Sequence, residues 1–94
     1  MTNFNFIRKP AVLSKSGFSS TTLHERIHAK LMPAPIFMGG NVSAYLEHEV
    51  DAVLAARTIG FTDVQIQQLV ANLKERRHST ANELLNSLKV EGNL

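Results

Sequence analysis

A chain of 94 residues with 44% apolar side chains and no cysteine is long enough for one small folded unit. Without cysteine it has no disulfide, thiolate metal site or cysteine nucleophile. The formal net charge of +2 does not by itself mark a nucleic-acid binder, but the charge is unevenly placed: residues 1–45 carry five basic side chains against Glu25 alone, a net of +4, and residues 46–94 carry five against seven acidic, a net of −2. No apolar run approaches the ~20 residues of a membrane span, and the N-terminus lacks the apolar core of a signal peptide. The sequence therefore predicts a soluble, cytoplasmic protein with no membrane partner.

Met1 to Phe6 reads as a loose arm in which Phe4 or Phe6 is pinned to the core, with Ile7 as an anchor before the first helix. Pro10 suits a first helical turn, where a missing N–H costs nothing. The helix ends near Ser16, because Gly17 accepts the left-handed backbone that a helix end often needs. At about two turns it depends on packing rather than propensity, with Val12 and Leu13 expected to meet Leu23 and Ile27. Arg8, Lys9 and Lys15 are candidate phosphate contacts.

Ser19 is a candidate N-cap for a second helix, and Thr22-x-x-Glu25 offers a competing capping box one turn later. Leu23, Ile27 and Leu31 recur every four residues and mark a buried face, which carries the expected helix to Met32-Pro33. The remaining faces place Ser20, Thr21 and Thr22 near the N-terminus and His24, Arg26, His28 and Lys30 further along. A helix in the major groove uses that order, small donors toward base edges and cations toward phosphates. Ile36-Phe37-Met38 and Val42-Ser43-Ala44-Tyr45 read as two short strands around the tight turn Gly39-Gly40-Asn41.

A third helix is expected from about Leu46 to Ile59. Leu46, Val50, Val53 and Leu54 share one face, and Glu47, Glu49 and Asp51 lie in the first turns, where negative charge suits the helix dipole. Gly60 closes it. Thr62 or Asp63 caps the next helix, striped by Ile66, Leu69, Val70 and Leu73. Thr80-x-x-Glu83 then reads as a second capping box, followed by Ala81, Leu84, Leu85 and Leu88 at the same spacing. The two stripes predict a C-terminal αα-hairpin. Its apolar faces either fold onto the small core or form a dimer or partner surface, and Lys74, Arg76 and Arg77 are available to extend a DNA surface.

The order helix, turn, helix, small hairpin, helix is that of a MerR-type winged helix-turn-helix. Ser16-Gly17-Phe18-Ser19, Thr22-Leu23, Met32-Pro33, Pro35-Ile36, Gly39-Gly40 and Glu49-Val50 stand at the spacing of the AlpA-like phage and prophage regulators. The chain resembles that family from roughly Phe6 to Arg57. The resemblance implies a DNA-binding protein of a mobile element, acting as a transcription regulator or as an excisionase-like directionality factor beside an integrase. The chain departs from the family pattern at Asn41, Ser20 and Glu25, where basic residues are common, and at Tyr45, where Trp is common.

The expected fold is mainly α: a winged helix-turn-helix over residues 1–60 and a helical hairpin over residues 61–94. The predicted DNA-facing set is Ser20, Thr21, Thr22, His24 and Arg26, supported by Lys15, His28, Lys30 and Asn41. Expected partners are double-stranded DNA, a second copy of the chain, and an integrase or another regulator. The alternative is a protein-interaction module working through the C-terminal hairpin. His24-Glu25-Arg26-Ile27-His28 does satisfy H-E-x-x-H. The chain offers no catalytic cleft around that motif, and beyond His48 and Glu49 no ligand on a second element, so no metal site, cofactor or enzyme activity is predicted.

Overall fold

The computed structural model describes residues 4–88; the start of the expected arm and the last residues of the C-terminal segment lie outside them. In chain order the elements are β1 (Phe6–Ile7), α1 (Lys9–Ser16), α2 (Ser20–His28), β2 (Ile36–Gly39), β3 (Val42–Leu46), α3 (Glu47–Thr58) and α4 (Asp63–Ser87). The protein is mainly helical, with a small antiparallel sheet ordered β1-β3-β2 and a long C-terminal helix, consistent with a small helix-turn-helix bearing a β-hairpin wing.

Local chemistry sets the first two helices. Pro10 sits in the first turn of α1, and Gly17 ends it at φ 74°, its N–H reaching the Leu13 carbonyl. Two residues later Ser19 caps α2, its hydroxyl accepting the Thr22 N–H at 3.1 Å. The competing box at Thr22 and Glu25 does not form. The second helix stops at His28, earlier than its apolar spacing predicts. Lys30 takes φ 64°, with its N–H on the Ile27 carbonyl and the Leu31 N–H on the Arg26 carbonyl. That pairing satisfies the last carbonyls of the helix without a glycine, and it turns Leu31 and Met32 into the core from a loop.

The wing forms where expected, with Phe37 opposite Ser43 and Gly39 opposite Val42, and a bulge between Phe37 and Gly39. The third strand comes from the supposed arm: Phe6 pairs with Leu46 and Ile7 with Tyr45. It is Ile7 that packs against the core, whereas Phe6 is exposed and stacks on Phe4. Leu46 ends β3 and is also the residue before α3. Gly60 closes α3 at φ 96°, with the Phe61 N–H on the Ala56 carbonyl.

The predicted C-terminal hairpin is corrected by one continuous 25-residue helix, α4. Thr62 and Gln65 form a reciprocal capping box at its start. At Thr80 the same signal is overridden, because no glycine or proline interrupts residues 61–90 and the amides there are already bonded within the helix. Its first half is part of the core. Val12, Leu23, Met32, Tyr45, Val50, Val53, Ala56 and Ile66 form one buried cluster, with Leu69, Val70 and Leu73 packed against it. Its last turns leave Leu84 and Leu88 exposed. No helix of the described residues is long and apolar enough to cross a membrane.

α4 also holds the helix-turn-helix by polar contacts. Gln67 donates to the Ala29 carbonyl at the end of α2, at 2.9 Å. Arg77 donates to the Ala34 carbonyl in the α2–β2 loop at 3.1 Å and to both oxygens of Glu49, a carboxylate only 1% exposed. Arg77 is therefore committed inside the fold and does not extend an outer basic surface.

Candidate nucleic-acid interface

The fold gathers side chains from α1, α2 and the wing around one groove of about 580 Å³, lined by Arg8, Lys9, Pro10, His24, Pro35, Asn41, Ser43 and Tyr45. Each wall follows from the local structure. Arg8 and Lys9 stand at the start of α1, where Pro10 opens the helix. His24 projects from the middle of α2. Ser43 and Tyr45 lie two apart on β3 and so on the same face of the sheet. Asn41 occupies the turn of the wing.

The Lys9 ammonium lies 3.0 Å from the His24 ring Nε2, which ties the two helices across the groove. Tyr45 is 4% exposed, and burial pushes its phenol above the ordinary range.

All the predicted DNA-facing residues but Lys15 fall into three groups. His24 and Asn41 share the groove. Ser20, Thr21, His28 and Lys30 are exposed on or just beyond α2, and Thr21 and His28 lie opposite the buried Leu23. Thr22 and Arg26 occupy the flank toward the turn, where the Thr22 hydroxyl accepts from Ser19 at 3.0 Å and the Arg26 guanidinium stacks 5.4 Å from the Phe18 ring centre.

Lys15 stands apart from these. Its ammonium lies 2.8 Å from Asp51 and 3.1 Å from Glu47, both on α3. Hydrogen bonding to Asp51 and then to Glu47 raises its pKa. Its charge is met by two carboxylates of α3, which makes it the weakest member of the predicted set.

Arg8 and Lys9, candidate phosphate contacts by sequence, belong to the groove; Ser43 and Tyr45 join them through strand alternation, the signal that marks them in the sequence. The wing itself is apolar, with Phe37 70% and Met38 48% exposed, and Asn41 is its polar tip. Among the described residues no three His, Asp or Glu side chains are grouped to hold a metal ion.

The fold and the groove define a helix-turn-helix with a β-hairpin wing and a basic cleft between the second helix and that wing. The chain is 35% identical over 60 residues to the uncharacterized protein ORF88 of Enterobacteria phage P4, a stretch that covers 64% of this chain and 68% of the phage protein. It belongs to the family of that phage protein. No family model matches the chain, and no solved structure does.

Proposed function

We propose that this protein binds double-stranded DNA as a winged helix-turn-helix regulator of a phage-like mobile element, acting on transcription or as an excisionase-like directionality factor in the cytoplasm. The observation that carries the reading is the arrangement of Arg8, Lys9 and His24 in a groove between α2 and the wing, beside a helix whose outer face is polar. In that reading α2 enters the major groove, and a neighbouring phosphate strand passes between α2 and the wing. Ser20, Thr21 and His24 face base edges, while Arg8, Lys9, Arg26, Lys30 and Asn41 hold the backbone. The phage origin of the relative agrees with a mobile-element setting.

The test is duplex binding by wild type, Lys9→Ala and Arg26→Ala, with Leu84→Ser as a control outside the groove. The reading predicts that each cation removed weakens binding of every duplex and that the control binds as wild type. Equal binding by all four proteins would refute it.

A second reading is favoured by Leu84 and Leu88, which α4 carries beyond the core in an exposed position. There the chain acts as a protein-interaction module through the end of α4. Loss of duplex binding without loss of partner capture would separate it from the first.

A further inference from the structure

One side chain on the outer face of α2 does not suit a phosphate-binding surface. Leu23 is fully buried and Ile27 packs against the core. At 100° per residue this turns Thr21, Glu25 and His28 away from the protein, and all three are exposed. Glu25 is therefore central on the face that would enter the major groove. Among the described residues the ion pairs are made by Lys15, Arg57 and Arg77, and Glu25 takes part in none.

A carboxylate carried toward DNA meets the negative potential of the phosphates and lowers affinity for any sequence. That cost is offset where the carboxylate finds an N–H donor. In the major groove the bases offer two exocyclic amino groups, cytosine N4 and adenine N6. Adenine sets the N7 acceptor next to its amino group, which repels the second carboxylate oxygen. Cytosine has a C–H there. Cytosine is thus the base that an acceptor-only side chain selects.

We infer that Glu25 is a specificity-determining residue that reads a cytosine N4 amino group in the target duplex. This rests on the DNA-binding reading above. Glu25 lowers binding to random sequence and restores it at sites with cytosine in register, so a weakly charged protein gains discrimination rather than strength.

The experiment is enrichment of a randomised duplex library by wild type, Glu25→Ala and Glu25→Gln, each full length, followed by anisotropy on the enriched site and its single-base variants. Glu25 is exposed, so both variants are expected to fold. Wild type is expected to enrich one cytosine that Glu25→Ala no longer prefers, with at least about fivefold discrimination lost at that position alone. Glu25→Gln is expected to move the preference there to adenine, since a carboxamide pairs with N6 and N7 together. An unchanged motif bound more tightly by Glu25→Ala would overturn the inference and leave DNA binding standing. Absence of binding to any duplex by wild type would overturn both.

Discussion

Arg77, midway along α4, makes a two-pronged ion pair with Glu49 of α3, its Nε 3.1 Å from one carboxylate oxygen and a terminal nitrogen 2.5 Å from the other. The same guanidinium holds the Ala34 carbonyl. One side chain thus joins the long C-terminal helix, the third helix and the loop leading into the wing. Removing one member of a buried pair strands the other charge, at a cost of about 3–5 kcal/mol. Arg77→Met is expected to lose that much in urea unfolding. Glu49→Leu combined with Arg77→Met should recover a large part of it. A double variant as unstable as the sum of the singles would contradict this account.

The core gives a second expectation. Leu23 is 0% exposed, in the buried cluster that also holds Val12 of α1. Leu23→Ala should cost about 2–5 kcal/mol, as deletion of a buried leucine does. Leu88, 63% exposed, should tolerate Leu88→Ser within about 0.5 kcal/mol. Thermal unfolding of the two variants checks both, and a large loss for Leu88→Ser would mean that its face is covered in solution.

Gly17 tests the turn. Its φ of 74° is left-handed, and a Cβ there would meet no atom within 4 Å. Gly17→Ala should therefore destabilise by backbone strain alone, roughly 1–2 kcal/mol. A neutral effect on the unfolding midpoint would show that the turn can relax.

The pH dependence lies on the alkaline side. Burial raises the Tyr45 phenol pKa, and hydrogen bonds to Asp51 and Glu47 raise that of Lys15. A raised folded pKa gives stability that is complete below the unfolded value, about 10 for both groups, and lost as pH climbs through the folded value. Tyr45 is the one tyrosine of the chain, so its absorbance titration reports a single group. The folded protein should titrate above about 10 and the urea-unfolded protein near 10.

The features legible in the sequence are those set within a few residues. Ser16-Gly17-Phe18-Ser19 contains its own helix stop and its own cap, and Gly60 and Thr62 do the same between α3 and α4. What escaped depends on distant partners. A two-residue strand at Phe6–Ile7 shows no periodicity and exists because β3 offers it an edge. Glu49 reads as a dipole-favouring surface carboxylate, and its burial rests on an arginine 28 residues later. Thr80-x-x-Glu83 is a capping box by pattern, yet nothing around it breaks a helix. Lys30 in a left-handed position gives no warning, since that conformation favours glycine. The site divides in the same way. His24 and Asn41 follow from the helix and the turn, whereas the engagement of Lys15 with α3 is visible only in the folded chain.

The most direct test of the DNA-binding account is anisotropy of a labelled random-sequence duplex titrated with the full chain at about 50 mM and about 200 mM salt. If Arg8, Lys9, Arg26 and Lys30 each neutralise a phosphate, affinity should fall about a hundredfold between the two conditions. No binding at the lower salt, or binding that ignores salt, would contradict the account and turn attention to the exposed end of α4.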